Sequence, residues 1–430
     1  MLRKKMAAHR MPGADRALLM ELTMGCLRQL TTLDALIQLA SGRSIGRIQP
    51  LPRMALRLCA YQLTYLDRIP EYAAVHGAVE LAKQAGSGAG RFVNAVARRL
   101  GELIGPKVDE PTQVDRSLPT PDGRWRLLQT ALVDPDAPLA HGLATCTGGI
   151  AWLLERWIEQ YGIPRTRQVA LSCTRRPPIV LRVNRLRSNH EQLVQALCRE
   201  KLQATVDADG LAVRVRGGGW VDGWPGFNEG WFQVQDRTAQ QPVEWLDPTP
   251  GERILDLCAG RGTKSTQIAE RMGKGGLLVA SDVNTDRLKQ LTQNAARLSL
   301  PFIKTIDSNH LGKEYEPGSF DAVLVDAPCS NTGVLARRPD VKHRLKPEDF
   351  KALATLQHDL LQAAIKFVRP GGRIVYATCS IDTSENQAVI NRIADETAAQ
   401  ILREQQFWPP EDTDKPWCDG GYVALLQRSP

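Results

Sequence analysis

From Arg253 onward, short apolar runs take turns with amphipathic stretches, and this alternation constrains the fold more than any other feature of the chain. Ile254 to Cys258, Leu277 to Ala280, Phe302 to Ile306, Phe320 to Val325 and Arg373 to Ala377 have the length and composition of strands. Ser265 to Arg271, and the series Leu288, Leu291, Ala295 and Leu298, read as helices between them. Strands alternating with helices predict a parallel sheet covered by helices, an α/β, Rossmann-like domain. Ligands of such sheets bind beyond the carboxyl ends of the strands. The residues that end the runs are therefore the first candidates for chemistry.

Three successive runs end in aspartate, at Asp282, Asp307 and Asp326. Two run ends carry a cysteine, in Asp326-Ala327-Pro328-Cys329-Ser330 and in Thr378-Cys379-Ser380. Both thiols are expected to face one pocket, and the spacing leaves open which of them attacks. After the first run comes Cys258-Ala259-Gly260-Arg261-Gly262-Thr263-Lys264, a glycine turn opening the next helix, where backbone amides and the helix dipole can meet a ligand. It is neither a P-loop nor a dinucleotide G-x-G-x-x-G, since Ser265 holds the third glycine position. Asp282 follows Asp256 by 26 residues, the distance at which a ribose-binding acid is expected. A mononucleoside-like ligand fits, with S-adenosylmethionine the leading candidate.

The rest of the chain differs in character. Leu18, Leu22, Cys26, Leu30, Leu33 and Ile37 predict one helix from Asp15 to about Ala40, and three more helices follow up to Leu103. Lys83, Arg91, Arg98 and Arg99, with Asn94 between them, put a basic face on this segment. The stretch from Pro106 to Gly149 is rich in proline and reads as a linker with one short helix. A helix at Trp152, Leu153, Trp157 and Ile158 and strands at Ile179 to Asn184, Leu211 to Val215 and Trp231 to Gln235 suggest a small α+β module, with Gly217-Gly218-Gly219 as a turn. Ser188 to Glu191 has capping-box spacing. Arg175, Arg176, Arg182, Arg185 and Arg187 concentrate charge there. The expected domains are 1–104 (helical), 105–149 (linker), 150–236 (α+β) and 237–430 (catalytic).

A net charge of +8 points to an anionic partner, nucleic acid first. Nine cysteines without a C-x-x-C pair exclude a zinc ribbon and suit reduced thiols. The basic Arg3, Lys4 and Lys5 are not followed by an apolar core, so no signal peptide is read, and no apolar run is long enough to span a membrane. A cytoplasmic monomer with no membrane partner and no metal is expected.

The motifs Asp256 to Lys264, Asp326 to Ser330 and Tyr376 to Ser380 resemble those of the RNA (cytosine-5) methyltransferases, and the basic loop from Gly333 to Lys342 agrees. The helical amino-terminal part, with Arg68-Ile69-Pro70, Asn94-Ala95-Val96 and Arg98, looks like the NusB-like domain of the bacterial 16S rRNA enzymes of the Sun/Fmu type, and the α+β module is RRM-like in its make-up. The resemblance implies S-adenosylmethionine-dependent methylation of C5 of a cytidine in ribosomal RNA, most directly 16S rRNA or an early small-subunit assembly intermediate. It implies Cys379 as nucleophile, Cys329 as the residue assisting product release, and Asp326 at N3 and the exocyclic amine of the base. Cofactor contacts would come from Cys258, Ala259, Gly260, Arg261, Gly262, Thr263, Lys264, Asp282, Arg287, Asp307 and Asp326. Arg337, Arg338 and Lys342 would contact RNA. A tRNA or DNA cytosine-5 methyltransferase, or an RNA-binding assembly factor whose site has decayed, are the alternatives. The chain departs from the family's pattern in having Arg261-Gly262-Thr263-Lys264 for Pro-Gly-Gly-Lys, in beginning close to what resembles the second helix of the NusB-like domain, so that an incomplete domain is expected there, and in Asp419-Gly420-Gly421-Tyr422.

Overall fold

The computed structural model describes residues 11–111, 113–216, 220–397, 399–411 and 415–430. The Gly217-Gly218-Gly219 turn and the basic Arg3, Lys4 and Lys5 lie outside the described residues. The chain forms two compact units. One contains residues 1–177, 335–344 and 410–415, and the other residues 178–334, 345–409 and 416–430.

Among the described residues the first unit begins with five helices, α1 (Gly13–Arg28), α2 (Leu30–Ser41), α3 (Pro50–Tyr65), α4 (Glu71–Lys83) and α5 (Ser87–Leu103). The single helix expected over Asp15 to Ala40 is two, because the chain turns at Gln29. A straight rod of that length would carry half its apolar stripe away from the core. The break instead lets α2 bury Leu33, Leu36, Ile37 and Ala40 beside Leu56 and Cys59 of α3. Pro50 and Pro52 sit in the first turn of α3, where their missing N–H groups cost nothing. In α5, Val93, Val96, Ala97 and Leu100 turn inward, while Arg91, Arg98 and Arg99 are exposed.

The segment read as a linker is ordered. It forms a small antiparallel sheet in the order β1-β3-β2, from β1 (Ile104–Val108), β2 (Ser117–Pro119) and β3 (Trp125–Leu128). Its strand prolines, Pro106 and Pro119, fall on the two edge strands, which can spare an amide, and the central strand has none. Two helices, α6 (Leu139–Thr147) and α7 (Ala151–Thr174), complete the unit, the latter kinked at Gly162 and Pro164.

The second unit contains two sheets. The smaller one, in the order β5-β6-β4-β7, is antiparallel and built from β4 (Ile179–Val183), β5 (Gln203–Val206), β6 (Val213–Arg216) and β7 (Phe232–Val234), with α8 (His190–Arg199) packed on it. The helix cap is not the Ser188 box: Asn189 accepts the Gln192 amide at 2.8 Å. After α9 (Arg237–Leu246) comes the larger sheet, in the order β10-β9-β8-β11-β12-β14-β13. Its strands are β8 (Arg253–Asp256), β9 (Leu277–Asp282), β10 (Lys304–Asp307), β11 (Phe320–Asp326), β12 (Val368–Thr378), β13 (Ala399–Phe407) and β14 (Gly421–Arg428). Helices α10 (Thr263–Met272), α11 (Thr285–Arg297), α12 (Leu311–Glu314), α13 (Pro347–Phe367) and α14 (Gln387–Glu396) connect them.

Side chains alternate across this sheet as the period-2 pattern requires. Leu255, Val279, Val323, Val325, Ile374 and Tyr376 pack on one face with α13 and α14. Ile254, Leu278, Ala280, Ala322, Leu324 and Val375 pack on the other with α9, α10 and α11. The central strands are parallel, as expected, and among the described residues β14 alone is reversed, pairing antiparallel with β12 on one side and with the edge strand β13 on the other. No helix among the described residues is long and apolar enough to cross a membrane.

Candidate active site

Register places the site. In the parallel pairs, Asp307 lies opposite Asp282, and Asp326 lies opposite Ala377. The chains leaving β11 and β12 therefore depart from the sheet at the same level, held by the Ala327 amide on the Ala377 carbonyl at 2.9 Å. Three residues on from Asp326 and two on from Ala377, the sulfurs of Cys329 and Cys379 lie 3.2 Å apart. Cys379 Sγ also lies 3.4 Å from Asn331 Oδ1, and Asn331 turns back through its Nδ2 to the Cys329 carbonyl at 2.7 Å. The Gly333 amide donates to the Cys379 carbonyl at 2.9 Å, and the Gly420 amide to the Gly333 carbonyl at 2.9 Å. A Cβ on Gly333 would sit 2.4 Å from the Gly420 carbonyl oxygen, so these backbones can meet only through glycine. Gly420, in the Asp419 to Tyr422 segment, thus supports the Cys379 loop through Gly333.

The hydrogen bond with Cys379, burial and the charges of Cys379 and Glu385 push the Cys329 thiol well above the usual range. Beside the pair, Lys264 Nζ lies 2.6 Å from Asp326 Oδ2. Burial alone would lower the Lys264 ammonium. Asp326, by charge and hydrogen bond, outweighs it and holds the group above the usual lysine range.

The neighbouring strand ends form a second cluster. Gly260 and Gly262 both have positive φ, +56° and +79°, which turns the chain sharply from β8 into α10. A Cβ on Gly262 would fall 2.3 Å from Leu291 Cγ, whereas the space above Gly260 is open. Asp282 is buried at the end of β9 and accepts the Gly260 amide and the Asn284 amide, each at 2.8 Å. Arg287, exposed, approaches Asp282 to 4.0 Å. Asp307 is half-buried and accepts the Asn309 amide at 2.9 Å. Asp256 is buried, with one oxygen on the Ser265 hydroxyl at 2.6 Å and the other without a partner. Burial pushes its carboxyl up to about 7, opposed by Ser265 and reinforced by Asp326. Burial likewise raises the Cys258 thiol, with Asp256 adding to the effect.

These residues fit a nucleoside carrying a charged tail. Open space lies over the Gly260 backbone, fixed carboxylates stand at two adjacent strand ends, and one Asp256 oxygen has no partner. Ala259, Arg261 and Thr263 belong to the same turn, with Arg261 exposed. Two residues that the sequence did not single out stand beside these strand ends. Val283, directly after Asp282, is an apolar side chain 72% exposed. Glu385, fully buried, binds both cysteine loops. An exposed valine was a readable signal only once Asp282 had been placed; a glutamate in a 3-10 turn carried none. Among the described residues no His, Cys, Asp and Glu cluster could hold a metal.

The basic residues expected on RNA divide. Lys342 is buried in the helical unit, its Nζ donating to the Arg28 carbonyl at 2.7 Å and to the Gly148 carbonyl. Its charge is spent on helix-end carbonyls and is not offered to phosphate. Arg337 is half-buried and Arg338 exposed in the same segment. Arg182 is buried in the second unit against Glu270 at 2.8 Å, so it too is no phosphate contact. Arg185 and Arg187 are exposed.

Comparison with known proteins gives a consistent picture. A family model described as 16S rRNA methyltransferase RsmB/F matches residues 243–415, a NusB family model residues 1–102, and an RsmF/B-like ferredoxin-like domain residues 151–218. The chain is 32% identical over 400 residues to the probable ribosomal RNA small subunit methyltransferase B of Bacillus subtilis, covering 92% of this chain and 83% of that one. It is 36% identical over 411 residues to the ribosomal RNA small subunit methyltransferase B of Serratia proteamaculans, covering 93% and 89%. The crystal structure of a methyltransferase homolog protein from Pyrococcus horikoshii superposes with a TM-score of 0.57 at 25% identity, covering 68% of this chain and 99% of that one.

Proposed function

Because this chain belongs to the ribosomal RNA small subunit methyltransferase B family, with S-adenosyl-L-methionine as methyl donor, we propose that it methylates C5 of a cytidine in 16S rRNA through a covalent cysteine adduct. The observation that carries this reading is the pair of thiols 3.2 Å apart beside the Lys264–Asp326 ion pair. C5 of cytosine is a weak nucleophile, and a base that must be attacked at C6 and later freed calls for two separate groups.

Cys379 adds as thiolate to C6, forming a C–S bond while the C5–C6 π pair moves toward C5. Asp326 contacts N3 and the exocyclic amine and stabilises the electron-rich ring by sharing a proton with it. Lys264 holds Asp326 in place. Asp282 binds the ribose hydroxyls of the cofactor, Asp307 its adenine amine, Val283 the ring, and the turn from Cys258 to Lys264 its methionine part. Bound, the sulfonium supplies an electrophilic methyl carbon. Once Cys379 is bonded to C6, the hydrogen bond that most strongly holds the Cys329 proton is gone; Cys329, as thiolate, takes the C5 proton, the C5–H electron pair restores the C5–C6 double bond, and the C6–S bond breaks with its pair going to Cys379. The retained thiols and strand-end acids speak against a decayed site.

The test is methylation of 16S rRNA from a strain lacking the gene, read by bisulfite sequencing and by denaturing gels. C379A yields neither product nor adduct, and C329A accumulates a protein–RNA adduct. Unchanged bisulfite patterns across the rRNA refute the substrate. Reversed phenotypes refute the assignment of roles.

A further inference from the structure

Each catalytic cysteine is followed by a serine, and one carboxylate joins the two serines. Glu385, in the turn after β12, has no exposed surface. Its Oε1 accepts the Ser330 amide at 2.8 Å and Gln357 Nε2 at 3.0 Å. Its Oε2 accepts the Ser330 and Ser380 hydroxyls, both at 2.5 Å. Gln357 Nε2 also donates to the Pro328 carbonyl at 2.9 Å, so the residue before Cys329 is held as well as the one after it. On the other loop, Asn386 accepts the Thr378 hydroxyl at 2.6 Å and donates to the Ser380 carbonyl at 3.1 Å, flanking Cys379 in the same manner. The Tyr376 hydroxyl fixes the backbone of this turn by donating to the Glu385 carbonyl at 2.6 Å.

We propose that Glu385 is the positioning residue that sets the distance between the two thiols, tying Ser330 on one loop to Ser380 on the other. The consequence for turnover rests on the two-cysteine reading above; the geometry does not. Removing a carboxylate from water among neutral donors is costly, and an apolar pair would bind the loops more cheaply. A carboxylate differs in accepting four directed bonds at once, two from each oxygen. That is what holds two loops from different strands in one geometry, without touching the substrate.

Glutamine can reproduce this network. The Oε1 partners are N–H groups, which only donate, and an amide oxygen can replace that carboxylate oxygen. The Oε2 partners are hydroxyls, which can turn to accept from the amide nitrogen. Glu385→Gln therefore removes the charge and keeps the ties, while Glu385→Ala removes both.

The test measures thiol spacing directly, in the full chain and without RNA or cofactor. The oxidant diamide takes two hydrogens from the thiols, and formation of the Cys329–Cys379 disulfide is timed by mass spectrometry of the linked peptides. Loss of the charge should free the Cys329 thiolate, so E385Q should oxidise at least as fast as wild type. E385A should be slower than E385Q by about tenfold, and its RNA methylation should fall about 100-fold in kcat with KM little changed, as for a displacement near 1 Å. E385Q should retain most of its kcat. E385A oxidising as fast as E385Q overturns the proposal. Should E385A not fold, as read by its binding of S-adenosylmethionine, Ser380→Ala cuts one tie alone: slowed oxidation relative to wild type supports the proposal and an unchanged rate overturns it. Failure of the cytidine reading, seen in C379A and C329A, leaves the oxidation result intact.

Discussion

Lys264 and Asp326 should behave as one unit, and a double-mutant cycle measures how tightly. At 2.6 Å, the bare attraction at an effective dielectric near 20 is about 6 kcal/mol. Lys264 is only 12% exposed in its side chain but Asp326 is 35% exposed, and water reaching the carboxylate reduces the useful part to about 2–3 kcal/mol. Lys264→Met should thus lower kcat/KM about 30- to 150-fold, by letting Asp326 swing away from the base position. Asp326→Asn should cost more, because it also removes the group proposed to contact N3. The double variant should be little worse than D326N alone, giving an interaction energy of about 2–3 kcal/mol. The assay is transfer of a labelled methyl group to undermethylated 16S rRNA at subsaturating RNA, with circular dichroism and thermal melting measured separately to confirm an intact fold. If the two losses multiply, the pair has no joint role, and the account of Lys264 as the holder of Asp326 fails.

Other perturbations follow from the same structure. Asp256 has its carboxyl raised to about 7 from a usual value near 3.8, so the folded state binds its proton more tightly than the unfolded chain does. Its stability contribution is therefore present below about pH 4 and lost as pH rises through 7; D256N, which does not titrate, should gain thermal stability relative to wild type across that window and hold a constant lead above it, and equal melting temperatures from pH 5 to 8 would contradict this. Gly262→Ala must keep a positive φ and push Leu291 aside, so it should lose about 2 kcal/mol or more in urea unfolding and weaken S-adenosylmethionine binding measured by calorimetry. Arg182→Met leaves Glu270 buried without its partner and should cost about 3–5 kcal/mol in urea unfolding, most of it recovered in Arg182→Met/Glu270→Met.

The sequence by itself determined the period of each element and what stands at its ends. Short β-branched runs alternating with helices left little choice but a parallel sheet, and the aspartates and cysteines at the run ends were legible because a parallel sheet delivers strand ends to one rim. Local pattern misled where the determinant was not local. Asp15 to Ala40 kept one helical period through a turn that only packing on α3 required, and the proline-rich stretch made a sheet because its prolines fell on edges, which no sequence shows as edges. The same holds for charge. Lys342 reads as an RNA contact and Arg182 as one of a basic cluster, yet one caps helix-end carbonyls and the other meets a buried glutamate far away in the chain. Tertiary structure alone decided the distances: register set Asp326 opposite Ala377, bringing two cysteines fifty residues apart to 3.2 Å, and Glu385 could be recognised only once both loops were seen to share it. Periodicity is a property of neighbouring residues, whereas register and burial are fixed by partners that the chain meets only on folding.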